Sequence, residues 1–425
     1  MSNTSFILRG DLCWSTSPDQ VEAMRNGYLV SVDGVSRGVF QEVPEEYTHL
    51  PVADCAGKLI VPGLTDLHVH APQYAFRGLG MDLELLEWLD TVTFPEEARY
   101  AGLDYARAAY RKFVEDLRRG PNTRACIFAT LHTPATVLLM DLLEESGLIT
   151  LVGKVNMDRG SPDNLREESA DSSARETLAW LESSADRYTR TGAILTPRFI
   201  PSCTDELMTR LGELQREYRL PVQSHLSENA GEVAWVRELC PNSKFYGDAY
   251  DQFGLFGGDA PTIMAHCVLS GEAEQELMKV RGVYIAHCPA SNMNLSSGVA
   301  PAGKYLREGQ RIGLGSDIAG GTHGSIFRAM SDAIQASKLR WRLQDQSIKP
   351  LTTAEAFYMG TVGGGSFFGK VGSFEPGYEL DAVILDDGRL STPRELTLTQ
   401  RLERTIYLSE DRDVVGKFVQ GRRVF

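Results

Sequence analysis

The run Thr65-Asp66-Leu67-His68-Val69-His70 sets two imidazoles two residues apart, behind the apolar approach Leu59-Ile60-Val61. Side chains two apart on a strand share a face, so His68 and His70 project together. Two imidazoles on one face at a strand end are half of a metal site. An isolated His-x-His is more often just two polar residues at a strand end, but later positions change that reading. Gln223-Ser224-His225-Leu226-Ser227-Glu228 brings a histidine and, three residues on, a carboxylate. His266 ends one apolar run, and Asp317 ends Gly313-Leu314-Gly315-Ser316-Asp317. Three neutral imidazoles and one carboxylate (His68, His70, His225, Asp317) suit Zn²⁺, with Fe²⁺ able to substitute. One further position is left for water, whose pKa a zinc ion lowers to roughly 7. Asp317 can accept that water's proton or orient it. Glu228, past its strand end, is free to move protons between water and substrate. His266 is either a further ligand or a partner that orients one.

These residues need a frame that gathers strand ends. From Val61 onward apolar runs alternate with amphipathic stretches, the pattern of a parallel α/β sheet. The expected strands are Val61–His68, Arg124–Leu131, Ile149–Met157, Ile194–Ile200, Pro221–Leu226, Pro261–Cys267, Gly282–Cys288 and Arg311–Ser316. Helical stretches such as Asp104–Arg119, Ala135–Ser146 and Ser325–Arg340 connect them. Eight strands and eight helical connections close a (β/α)8 barrel, whose active site lies at the C-terminal ends of the strands. Six of the eight histidines (68, 70, 132, 225, 266 and 287) fall at those ends, where random placement would scatter them. Residues 1–60 and 366–425 carry short β runs instead, among them Tyr28–Val32 ahead of the turn pair Asp33-Gly34. The expected α/β organisation is a catalytic barrel over 61–365 and a small β-sandwich-like domain built from both termini.

Composition narrows the function. Hydrophobic residues make up 42% and charged residues 24%, as in an ordinary protein with a sizeable core. The net charge of -14 disfavours nucleic acid and anionic membrane surfaces as partners. No apolar run approaches membrane-spanning length, and Met1–Gly10 lacks the pattern of a signal peptide. Seven cysteines without a Cys-x-x-Cys pair fit free thiols in a reducing cytoplasm. The His-x-Glu and Pro-Cys-x-x-Cys signature of the other zinc deaminase architecture is absent.

A barrel with His-x-His on its first strand, histidines ending the fifth and sixth, and Asp ending the eighth resembles the amidohydrolase superfamily. His225-Leu226-Ser227-Glu228 resembles its deaminase branch, in which that glutamate protonates the substrate ring beside a single metal. Binuclear members carry a carboxylated lysine on strand four. Here the fourth run has Arg198, and Lys154 lies on the third, which argues for one metal per chain. His70-Ala71-Pro72-Gln73-Tyr74, Leu85-Leu86-Glu87-Trp88-Leu89, Thr93-Phe94-Pro95, Thr196-Pro197-Arg198-Phe199 and Ala286-His287-Cys288-Pro289 together resemble the guanine deaminase family. That resemblance implies hydrolysis of guanine to xanthine and ammonia in purine metabolism, and a homodimer. It implies that Arg198 holds the purine carbonyl, with Gln73 and Phe199 lining the ring pocket. Tyr74, Phe76, Trp88 and Phe94 are further aromatics that could stack on a purine. Deamination of 8-oxoguanine or a pterin, triazine hydrolysis, and a scaffold that has lost catalysis are the competing readings. His323, in Gly320-Gly321-Thr322-His323, matches no part of the pattern.

Overall fold

The barrel rests on eight parallel strands: β1 (Leu64–His70), β2 (Asn122–Phe128), β3 (Ile149–Gly153), β4 (Thr191–Ala193), β5 (Val222–Leu226), β6 (Thr262–His266), β7 (Tyr284–His287) and β8 (Arg311–Leu314). They come from a computed structural model that describes residues 4–425. β1 to β4 pair in order, and so do β5 to β8. Two seams close the ring. Leu195 donates to the Pro221 carbonyl and accepts from the Gln223 N–H, both at 2.9 Å. Across the other seam, the Asp317 N–H donates to the His68 carbonyl at 2.8 Å. Helices between the strands bury one face each. In Leu103–Arg119 the buried positions Ala106, Tyr110, Phe113, Val114 and Leu117 recur at helical spacing.

Every strand shifts at an end from its expected bounds, and the first, third and fourth runs are also broken. Val61 and Pro62 end a separate strand, Val52–Pro62, and the barrel strand starts at Leu64. Gly63 divides them because a Cβ there would lie 2.2 Å from Thr123 Oγ1. The third run breaks after Gly153, and Val155–Asn156 forms its own two-stranded ladder with Thr196–Pro197. That ladder ends with the Arg198 N–H, which donates to the Asn156 carbonyl at 3.3 Å, and a 3₁₀ turn follows at Ile200–Ser202.

The register of β1 against β2 slips between Asp66 and Val69, a bulge. Leu67 consequently packs with Cys126, Ile194, Ala265 and Ala286 in the barrel interior. Val69 packs instead with Ile127 and with Phe113 and Leu139 of the surrounding helices.

The two ends of the chain share one seven-stranded sheet. Its order is Arg422–Arg423, Val414–Val419, Ala382–Leu385, Val52–Pro62, Phe6–Ser17, Gln20–Val32 and Val35–Phe40. Ala382–Leu385 joins the halves, pairing antiparallel with both Val52–Pro62 and Val414–Val419. Asp33 and Gly34, at φ 54° and 78°, make the tight turn before Val35. Leu8, Leu29, Ile60, Phe374 and Phe418 fill the core of this unit. Arg124 of β2 fastens it to the barrel, bonding Asp381 at 2.8 Å and Glu379 at 2.7 Å. Among the described residues, no helix is long and apolar enough to cross a membrane.

Candidate active site

Three strand ends bring four side chains to one cluster of donor atoms. His70 Nε2 lies 3.2 Å from His68 Nε2 and 3.2 Å from His225 Nε2. Asp317 Oδ1 is 3.2 Å from His68 Nε2 and 3.5 Å from His70 Nε2. His225 Nδ1 sits 2.6 Å from the Arg198 carbonyl. A carbonyl only accepts, so Nδ1 carries the hydrogen and Nε2 presents a bare lone pair. Burial, and then the neighbouring His68, holds His70 and His225 well below the ordinary imidazole range, so both are neutral. Asp317 is held well below the carboxylate range; burial opposes this and is outweighed by His68, His266 and His70. Neutral imidazoles and a carboxylate crowded together in this way are the donor set of a divalent cation. Ligands about 2.0–2.1 Å from a tetrahedral metal stand roughly 3.3 Å from one another, as these atoms do. The residues present therefore fit a metal.

The backbone turns sharply to aim these groups. Ser227, His266 and Asp317 have φ of 47°, 74° and 46°. The left-handed region is costly for residues with side chains, by about 1–3 kcal/mol each. The strain falls where β5, β6 and the chain beyond β8 turn their side chains across the barrel mouth. His266 stands between the carboxylates, with Nε2 3.3 Å from Glu228 Oε2 and 3.7 Å from Asp317 Oδ2. Its Nδ1 meets Asn292 Oδ1 at 2.8 Å.

A cavity of about 410 Å³ opens onto the cluster. His70, His225 and Asp317 line it together with Glu228 and His266. Gln73 and Arg198 supply its remaining polar surface beyond Glu232, and Leu85, Trp88, Leu89, Phe199 and Leu295 supply apolar wall. The nine positions singled out from the sequence thus surround one space or the donor cluster beside it.

The amidohydrolase family profile matches residues 59–424. The chain is 36% identical to a guanine deaminase of Dictyostelium discoideum, over 98% of each chain. It is 34% identical to the guanine deaminase of Homo sapiens, over 100% of this chain and 97% of the relative. The solved guanine deaminase of C. acetobutylicum, with guanine bound in its active site, superposes with a TM-score of 0.96. That comparison shows 46% identity and covers 99% of this chain and 100% of the other. The chain belongs to the amidohydrolase family, in its guanine deaminase branch.

Amidohydrolases are metal-dependent hydrolases, and the groups around the donor cluster in this one are tuned by burial. Burial raises the Glu228 carboxyl well above its usual range, and the charges of Glu232 and Asp317 push it further. A bond from Ser297, 3.3 Å from Glu228 Oε1, works the other way. Glu232 anchors this glutamate from below: it accepts from the Glu228 N–H at 3.0 Å and from the Tyr246 hydroxyl at 2.7 Å. With Asn229 it also forms the capping box of the helix Ala230–Leu239.

The remaining groups separate into those at the amidohydrolase cavity and those elsewhere. Of the five aromatics, Trp88 and Phe199 line it. Phe94 lies under the Arg198 guanidinium at 5.2 Å, Phe76 packs against Trp88 at 5.7 Å, and Tyr74 bonds Asp116. His287 is buried outside the lining, its pKa pushed down to about 3 by burial and then by His266. His132 lines a separate depression with Tyr100 and Glu167, and His323 is exposed. Lys154 is fully buried against Glu167, away from the cavity.

Sequence reasoning passed over Glu232, Asn292, Ser297, Leu295 and Glu97. Only Glu232 left a local signal, the Asn229-x-x-Glu232 spacing of a capping box. Glu97 left none. It binds Arg198 from 101 residues away.

Proposed function

We propose that the protein is a guanine deaminase, removing the 2-amino group of guanine with water to give xanthine and ammonia. The observation that carries this reading is the cavity itself. A metal-type donor cluster and a buried glutamate whose pKa is raised by its setting share it with Arg198, a donor that cannot become an acceptor. The names of the relatives and the guanine-bound structure support it.

His68, His70, His225 and Asp317 would hold one metal ion per chain, and zinc suits three imidazoles and a carboxylate, with iron able to substitute. When bound, such an ion lowers the pKa of water to roughly 7 and so supplies hydroxide at neutral pH. Glu228, whose protonated form its buried setting favours, donates a proton to the ring nitrogen beside C2 as water oxygen adds to that carbon. Asp317 accepts the proton that water gives up, and His266, between the two carboxylates, holds both in place. Glu228, now ionised, takes the hydroxyl proton of the adduct as the C2 carbonyl forms, and the proton held by Asp317 passes to the amine as the C–N bond breaks, leaving ammonia. Arg198 donates to the ring carbonyl, while Phe199 and Trp88 cover the faces of the ring. Cytoplasmic location and a homodimer complete the reading. Seven unpaired cysteines support the first, and the second rests on family resemblance and is checked by sedimentation.

Ammonia release from guanine, 8-oxoguanine, a pterin, adenine and cytosine tests the assignment. Guanine should be turned over and adenine scarcely at all. Adenine sets an amine against the guanidinium, and sites built on such a bond reject the mismatch by roughly 10⁴. Arg198→Ala should lose most guanine activity, and Arg198→Lys should not restore it, because a point ammonium lacks the planar fork. Comparable turnover of adenine by the parent would overturn the assignment.

A further inference from the structure

One carboxylate behind the cavity wall holds two substrate-facing groups at once. Glu97, in the short helix Phe94–Ala98, is 2% exposed and lies behind the lining rather than on it. Its Oε2 accepts from Arg198 Nη1 at 2.5 Å, and its Oε1 accepts from Arg198 Nη2 at 3.1 Å. The same Oε1 accepts from Gln73 Nε2 at 2.9 Å. Gln73 Oε1 in turn accepts the Ala319 N–H at 2.9 Å. A carboxylate only accepts and a backbone N–H only donates, so this pairing fixes the Gln73 amide in one orientation. It also fixes the plane of the guanidinium, which gives one hydrogen from each terminal nitrogen to Glu97 and keeps its other N–H groups for a ligand. The Phe94 ring lies 5.2 Å beneath the Arg198 guanidinium, within cation–π reach, and opposes its tilting.

We propose that Glu97 is a positioning residue that sets the requirement for a carbonyl on the substrate ring, by presenting Arg198 and Gln73 with their free N–H groups toward that oxygen. The proposal rests on the guanine reading above. Removing Glu97 frees the guanidinium to rotate and the amide to flip, and either movement can turn the donor pattern away from the carbonyl. A substrate without that oxygen has nothing to lose by this. Glu97 also couples two features of the cavity. The segment that carries it supplies Leu85, Trp88 and Leu89 to the apolar wall, so placing the wall and orienting the reading groups are one event.

The test compares two competitive inhibitors, neither of which has a 2-amino group to lose. Hypoxanthine keeps the ring carbonyl, and unsubstituted purine lacks it. Their inhibition constants against guanine are measured for the parent, Glu97→Gln, Arg198→Ala and the double variant, with metal content and Tm recorded for each. Glu97→Gln should raise the hypoxanthine constant by about tenfold or more and leave that of purine within about twofold. Its loss should fall mainly on KM for guanine. The double variant should bind hypoxanthine no worse than Arg198→Ala alone. Glu97→Asp, which keeps the charge but draws it back, should show the same selective loss and covers the case of a poorly folding amide variant. Constants that rise together for both inhibitors, or a hypoxanthine constant that does not move, would overturn the positioning role. If the parent itself releases no ammonia from guanine, the guanine reading fails instead, so the two failures are distinct.

Discussion

At the scale of single residues, Glu228 joins burial to chemistry. A carboxyl of ordinary pKa would be ionised at neutral pH and could only accept, whereas burial and the nearby charges of Glu232 and Asp317 shift this one toward its protonated form. It can therefore give a proton first and take one later, as a hydrolytic deamination needs. Glu228→Gln keeps the shape and the backbone bond to Glu232 but ends the shuttle. We expect normal metal content and a kcat lower by ~10²–10⁴. Metal analysis and single-turnover rates on the same preparation check it, and near-parent turnover at full metal content would remove Glu228 from the mechanism.

Among the elements, the ends of the strands carry the site while their middles carry the fold. Lys154 shows the difference. It lies where the third run breaks, buried with Glu167, whose Oε2 also accepts the Met157 N–H at 2.9 Å. Breaking a buried pair on one side leaves an uncompensated charge, at a cost of about 3–5 kcal/mol. Lys154→Met should lose about that much stability in chemical denaturation and still bind a full complement of metal. Adding Glu167→Gln should recover part of the loss. Metal lost in proportion to Lys154 would mean that this lysine serves the metal site after all.

Over the whole molecule, the C-terminal strand is tied to the barrel by a lysine that folding places in an awkward position. Lys417 on Val414–Val419 is fully buried and donates to the carbonyls of Leu117 at 3.2 Å and Asn122 at 2.8 Å. Burial lowers its pKa to about 7 from 10.5, with Arg118 adding to the shift and Asp411 and Asp381 opposing it. Between those two values the unfolded chain holds a proton that the folded chain has released. Stability contributed through this group therefore rises as pH increases from about 7 toward 10.5, and its penalty is full below that window. Denaturation free energies measured across this range should climb in the parent relative to Lys417→Met. Parallel curves would show that the ammonium stays charged inside the fold.

The sequence by itself determined which atoms could bind a metal and roughly where they would meet. His68, His70, His225, His266 and Asp317 each end an apolar run, and a parallel barrel gathers such ends at one face. Glu228 was legible for the same reason, three residues beyond His225. These are local patterns, and alternation along a strand needs no knowledge of the rest of the chain. Only the tertiary structure decided the breaks at Gly63 and after Gly153. The first follows from the close approach of Thr123, sixty residues on, which leaves no room for a Cβ at position 63, and the second from a separate ladder with Thr196–Pro197. Only it brought Glu97 to Arg198 and Gln73, and Ala319 to Gln73. These hydrogen bonds span 24, 101 and 246 residues of chain, and no spacing in the sequence encodes which buried carboxylate will arrive opposite which guanidinium.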